Sequence, residues 1–353
     1  MSKAVELENI VKKYGRVVAV DGVSLEVEKN TFFSILGPSG CGKTTILRMI
    51  AGLEIPDAGF VKMDGSIVNN VPPEKRGVGL VFQGTAVFPH MNVFNNIAYG
   101  LKMRKMPKHE IEERVRSVMR LVNLPPEVYG TRRVDQLSGG ERQRVEIARS
   151  LVLEPKVLLL DEPLGPLDFK IRQKMQAELK RLQKTTATTF IYVTHDQTEA
   201  LSLSDKIAVM RGGKVVQVGT PEEIYNQPSD KFVADFIGES NLLEGRVDKE
   251  YFYVEGLPPI ALNGRVVPSG KVVMAIRPER IEMLGAEKME NHVKGIIVDK
   301  TYQGVYTVFR VQLCKELVFT VYVTRPDVAG RFAVGDSVVI GWRSSDCVLV
   351  GGL

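Results

Sequence analysis

Residues 37–45 read GPSGCGKTT and satisfy G-x-x-x-x-G-K-S/T, with Gly37, Gly42, Lys43 and Thr44 in register. Glycines at these positions let backbone N–H groups turn inward around phosphate oxygens, and a helix start adds partial positive charge. Lys43 reaches the outer phosphates and Thr44 offers a hydroxyl to Mg²⁺. The whole stretch Gly37, Pro38, Ser39, Gly40, Cys41, Gly42, Lys43, Thr44 and Thr45 is therefore expected to hold ATP with Mg²⁺. Cys41 has two readings: a small side chain tolerated beside phosphates, or a thiol open to alkylation. Further along, LLLDEP ends a buried run on two acids. Asp161 is placed to hold the metal and Glu162 to act as base on an attacking water. FIYVTH ends on His195, whose imidazole is placed to contact the γ-phosphate. Gln83, after the run LVF, has the chemistry to reach metal or water. LSGGE at 137–141 starts a second glycine-rich helix, whose exposed N–H donors favour an anion. Residue chemistry leaves three uses for it open: capping its own helix, binding a second anion, or closing over a phosphate held by another copy.

These groups need elements to position them. The opening VELENIVKKYGRVVAVDGVSLEVEKNTFFSILG alternates apolar and polar residues and predicts several strands ending at Gly37. From Thr44, TTILRMIAGL predicts a helix closed by Gly52 and Pro56. Residues 107–122 place Ile111, Val115, Val118, Met119 and Val122 on one face of an amphipathic helix, within a helical insertion at about 100–150. KVLLLDEP and TTFIYVTHD read as buried parallel strands whose C-terminal ends carry the chemistry of one site. IAVMRGGKVVQVG predicts a hairpin turning at Gly212 and Gly213, followed by a helix with proline at its first position. After about residue 238, short alternating segments such as VVMAIRP, GIIVDKT, VYTVFRVQL, LVFTVYV and SVVIGW predict an all-β barrel or sandwich. The expected fold is thus an α/β P-loop NTPase over 1–237 followed by an all-β domain over 238–353.

In this order, Tyr14, GPSGCGKTT, Gln83, LSGGE, LLLDEP, Asp168 and His195 resemble the ATP-binding subunit of an ABC transporter. The resemblance runs through essentially the whole chain. It implies that Tyr14 stacks on adenine and that Gln83 couples the metal to membrane subunits. It also implies that Asp168 joins sites across a homodimer, and that Ser138, Gly139, Gly140 and Glu141 complete the site of the opposing copy. The sequence departs from the family pattern twice, with Glu141 in place of the common glutamine and Gly165-Pro166 in place of small residues. Proline fixes the backbone and removes a donor there.

The rest of the chain narrows what ATP would power. Its 353 residues at net charge +5 carry lysines spread among glutamates, which fits a solvated surface better than a nucleic-acid face, and no nucleic-acid partner is expected. Three widely spaced cysteines fit reduced thiols. No apolar run reaches the roughly 18–20 residues that cross a bilayer. The start MSKAVELENI lacks a secretory core, so a place at the cytoplasmic face of the membrane, through partners, is expected. GTPEEIYNQPSDKFVADFIGESN followed by MAIRPERIEM and a β-rich tail resembles import ATPases of the maltose and polyamine type, with a C-terminal OB-like (TOBE-type) regulatory domain. The resemblance implies two integral-membrane permease subunits, whose coupling helix would sit in a groove lined by 82–101 and 107–122. It also implies, indirectly, an extracytoplasmic solute-binding protein. FIGESNLLEG looks most like polyamine importers, with sugar, iron, sulfate and phosphonate open. The alternative is a soluble ABC ATPase acting as a mechanical regulator.

Overall fold

The computed structural model describes residues 2–84, 86–165, 167–262 and 270–350. Pro166, half of the Gly165-Pro166 departure, lies outside them, as does Thr85 within 82–101. The chain divides into two compact units, Met1–Pro221 and Glu222–Leu353.

In the first unit a six-stranded sheet runs in the spatial order Lys214–Gly219, Lys206–Arg211, Phe32–Leu36, Thr189–Thr194, Val157–Asp161, Val78–Val81. Only the hairpin Lys206–Arg211/Lys214–Gly219 is antiparallel; the other pairings are parallel. Phe32–Leu36, Val157–Asp161 and Thr189–Thr194 are buried at every position, which is why they read as continuous apolar runs instead of alternating ones. The register sets Leu36 beside Thr194 and Asp161 beside Val193. The chain therefore leaves three adjacent strands at one level, at Gly37, Glu162 and His195.

A second sheet, in the order Val17–Glu28, Lys3–Tyr14, Ala58–Met63, Ser66–Ile67, is antiparallel throughout. The helix Lys43–Ala51 follows the phosphate loop and stops at Gly52, whose φ of 82° suits glycine and whose N–H bonds the Arg48 and Met49 carbonyls. The helices Val93–Met103, Lys108–Leu121 and Gly139–Leu151 form the insertion. On the second of these, Ile111, Val115 and Met119 are buried as the periodicity predicts, as is Val122 just past its end. They join a core that includes Leu160, Phe190 and Tyr192. Each fully buried apolar side chain contributes about 1.5–3 kcal/mol, so this face is enough to seat the insertion on the sheet.

The second unit holds an antiparallel five-stranded sheet, Ile260–Ala261, Tyr251–Tyr253, Asn241–Asp248, Gly270–Ile276, Val348–Val350. A four-stranded one, Leu317–Val323, Thr307–Cys314, Asn291–Tyr302, Ser337–Trp342, accompanies it. Phe252, Phe309, Phe319 and Trp342 fill the core they share. Buried Asn241 bridges the sheets: its Nδ2 donates to the Thr320 carbonyl at 2.9 Å and its Oδ1 accepts from the Thr320 N–H at 2.7 Å.

Candidate nucleotide-binding site

The phosphate loop is shaped by its neighbours. A Cβ on Gly37 would stand 2.5 Å from the Met210 carbonyl oxygen, and one on Gly42 would stand 2.3 Å from that of Ala19. Gly42 also has φ 102°, a conformation side chains avoid. Two strands thus press on the loop so closely that only glycine fits. Gly213, at the hairpin turn where Gly212 and Gly213 both have positive φ, donates its N–H to the Cys41 carbonyl at 3.2 Å. Lys43 is buried and donates to the Gly37 and Pro38 carbonyls at 2.7 and 2.9 Å. Cys41 is only 5% exposed, and burial pushes its thiol pKa up against the pull of Lys43. The geometry therefore favours the small-side-chain reading of Cys41 over the alkylatable one.

Five predicted groups meet above the strand ends. Thr44 Oγ1 donates to Asp161 Oδ1 at 3.1 Å. Burial pushes the Asp161 carboxyl up and Glu162 adds to this, while the Thr44 hydroxyl, Arg48 and Lys43 draw it back. Glu162 is held at both oxygens: Gln83 Nε2 donates to Oε2 at 3.0 Å, and His195 Nδ1 lies 3.1 Å from Oε1. Glu162 has φ 45°, in the left-handed region, fixed by its N–H on the Val193 carbonyl at 3.0 Å. Strain of this kind concentrates at functional sites. The loop and this oxygen-rich pair fit a nucleotide with magnesium: glycines where a Cβ would block backbone approach, a buried lysine, and a hydroxyl beside a carboxylate.

The remaining predicted residues lie apart. Tyr14 ends the strand Lys3–Tyr14 and is 45% exposed, with Lys12 Nζ 5.6 Å from its ring centroid, in the hairpin whose Ala19 presses on Gly42. Asp168 caps the helix Phe169–Thr186 by accepting from the Ile171 N–H at 3.0 Å. Ser138 and Glu141 form a reciprocal capping box: Ser138 Oγ accepts from Glu141 N–H at 3.3 Å, and Glu141 Oε2 accepts from Ser138 N–H at 2.7 Å. Burial pushes Glu141 up, yet the Ser138 N–H and the Tyr129 and Ser138 hydroxyls together hold its carboxyl below the ordinary value. Gly139 and Gly140 face Leu167 and Ile171. Among the described residues no hydrogen bond or ion pair links 138–140 to 37–45.

Sequence reasoning missed the support behind His195. Glu199, 3% exposed, accepts from the Tyr192 and Thr194 hydroxyls at 2.6 and 2.8 Å, and Thr194 Oγ1 in turn accepts from the Asp196 N–H at 2.9 Å. An acid one turn into a helix is an ordinary surface pattern, so nothing in the spacing marked it.

A phosphate loop opening a helix, with two consecutive acids, Asp161 and Glu162, at the end of another strand of the same sheet, defines the P-loop nucleotide hydrolase class. A family model described as ABC transporter matches residues 20–165, and one described as TOBE domain matches 274–350. The chain belongs to the ABC transporter family, as an importer's ATP-binding subunit with a C-terminal OB-like domain. It is an ATPase that takes ATP with Mg²⁺. It is 50% identical over 303 residues, 86% of this chain and 85% of the relative, to a spermidine/putrescine import ATP-binding protein of Acetivibrio thermocellus. A protein of the same name from Trichormus variabilis is 44% identical over 358 residues, 98% of this chain and 93% of that one. The ATP-binding cassette MJ0796, solved as a dimer bound to ADP and Pi, aligns with TM-score 0.55 and 30% identity, covering 62% of this chain and 98% of that one. Part of the cbiONQ transporter, cbiO1 from Clostridium perfringens, aligns with TM-score 0.60 and 28% identity, covering 64% of this chain and 91% of that one. Among the described residues no helix is long and apolar enough to cross a membrane.

Proposed function

We propose that this chain drives uptake of a polyamine, working as a homodimer against two integral-membrane permease subunits at the cytoplasmic face of the membrane. An extracytoplasmic solute-binding protein would deliver the solute. Residues 1–237 serve as the ATP-hydrolysing part and 238–353 as the regulatory part. The observation that carries the reading is Glu162, gripped at both carboxylate oxygens by Gln83 and His195 beside the Thr44–Asp161 pair. Relatives that align with 86% and 98% of this chain and are named for spermidine and putrescine import support the choice of solute.

We assign the roles from the chemistry of the grouped residues and, for Tyr14, Ser138, Gly139, Gly140, Glu141 and Asp168, from the family resemblance. Residues 37–45 wrap the phosphates with backbone N–H groups, and Lys43 exchanges its loop carbonyls for phosphate oxygens. Thr44, Asp161 and Gln83 would hold Mg²⁺, which when bound neutralises charge on the outer phosphates. Glu162 takes a proton from water, while Gln83 and His195 hold its carboxylate in place. His195 steadies the γ-phosphate and Tyr14 stacks on the base. Ser138, Gly139, Gly140 and Glu141 meet the γ-phosphate held by the second copy, and Asp168 communicates across the dimer.

The test is uptake of labelled spermidine or putrescine into vesicles carrying this chain with the two multi-span membrane proteins that co-purify with it. Uptake is expected to need ATP inside. A Glu162→Gln variant is expected to bind ATP normally while hydrolysis and uptake fall by about 10² or more, the ordinary contribution of a positioned base. Uptake of sulfate, phosphonate or sugar instead of the amine overturns the solute. Recovery of the chain only with ribosomes or DNA overturns the importer reading in favour of a soluble regulator.

A further inference from the structure

The strongest polar cluster outside the site lies on the helix Gly139–Leu151. Glu146 is 3% exposed; its Oε1 accepts from the Ala86 N–H at 3.2 Å, and its Oε2 is buried without a hydrogen-bond partner. Three residues further on, on the same helix face, Arg149 donates to the carbonyl of the same Ala86. The Arg149 guanidinium lies 4.5 Å from the centroid of the Phe88 ring. One exposed residue is thus held at both its N–H and its C=O by a single helix. From the other side, Asn96 takes both backbone groups of Phe88, accepting at 2.8 Å and donating at 3.1 Å. Three residues upstream of Ala86, Gln83 donates to Glu162.

A buried carboxylate with one oxygen unbonded costs stability that an apolar side chain of similar size would not. What the fold gains in return is a directional bond to one N–H. We propose that Glu146 is a positioning residue for ATP hydrolysis. With Arg149 it clamps the Ala86 backbone to the helix that begins at Ser138, and so fixes where Gln83 meets Glu162. Movement of that helix would reach the carboxylate that activates water by way of Ala86 and Gln83, with no hydrogen bond from the helix to Glu162 among the described residues. The inference rests on the reading of Glu162 as base, so one arm of its test is independent of activity.

The full-length chain is compared with Glu146→Gln, which keeps an acceptor oxygen for the Ala86 N–H, and Glu146→Leu, which keeps volume alone. Amide hydrogen exchange of the peptide 82–88 is expected to quicken about tenfold or more in the leucine variant and to stay within about twofold of wild type in the glutamine variant. Steady-state hydrolysis is expected to show kcat lowered about tenfold in the leucine variant with KM for ATP little changed, and restored by glutamine. Arg149→Met, which frees only the carbonyl side, is expected to loosen the same peptide. Unchanged exchange in Glu146→Leu, glutamine behaving as leucine, or Arg149→Met exchanging as wild type overturns the clamp, the last even if the leucine variant does not fold. Loosened exchange with unchanged kcat overturns its role in hydrolysis. Normal turnover by Glu162→Gln would instead fault the assignment of the base.

Discussion

Glu146 carries its carboxylate where water scarcely reaches. Burial pushes its pKa from 4.5 up to about 7, although the Ala86 N–H and the charge of Arg149 pull the other way. The folded chain therefore keeps a proton that the unfolded chain releases. Stability from this group is present in full at low pH and declines as pH rises from about 4.5 through about 7, then levels. Urea unfolding of wild type against Glu146→Gln is expected to show the variant gaining relative stability over that window. A difference that stays flat with pH would reject the shifted titration. At this scale the sequence was legible where a motif fixes spacing, as at 37–45, and where an acid follows an apolar run, as at Asp161 and Glu162. Gln83 was weak in sequence because one glutamine after a strand has many uses; only its bond to Glu162 singles it out. Glu146 and Arg149 were not legible, because their partner Ala86 is reached through tertiary packing some sixty residues away, and Glu199 was not, because an acid one turn into a helix is an ordinary surface pattern.

At the scale of elements, the helix Gly139–Leu151 serves two ends. Its start is closed within the chain by the Ser138–Glu141 box, and the same serine and glycines are the ones assigned to a second copy's phosphate. The cap is expected to matter for stability apart from catalysis: Ser138→Ala should lower unfolding free energy by about 1 kcal/mol. Thermal or urea unfolding without nucleotide checks this, and no loss would mean that the box contributes nothing. Glu141 in place of glutamine is explained by the same geometry, since either side chain reaches back to the Ser138 N–H. The buried parallel strands were legible because burial on both faces leaves a solid apolar run. Ala58–Met63 was not, because only Val61 and Met63 of its residues are buried and Gly59 and Lys62 interrupt the apolar pattern. Asn241–Asp248 was hidden because the inward side of its alternation, Asn241, Leu243, Gly245 and Val247, carries a polar residue and a glycine among its apolar ones.

At the scale of the molecule, the residues assigned to one phosphate site fall into two groups, with no hydrogen bond or ion pair between them among the described residues of one chain. Composite sites make hydrolysis depend on association. Turnover per chain is expected to fall as the protein is diluted to the point where light scattering reports single particles, and constant turnover there would reject shared catalysis. The change of texture near residue 238 was legible as an all-β tail, since alternation replaces helical spacing. The choice between barrel and sandwich was not, because strands as short as Tyr251–Tyr253 and Val348–Val350 leave no periodic trace. The order of strands also bears on biosynthesis. Phe32–Leu36, which delivers the chain to Gly37, is flanked by Thr189–Thr194 and Lys206–Arg211, and the Met210 carbonyl walls the loop. A nascent polypeptide still short of residue 211 therefore has every letter of the phosphate motif but no wall to fold it against. Competence to take up nucleotide on the ribosome must await emergence of a segment synthesised long after the motif itself.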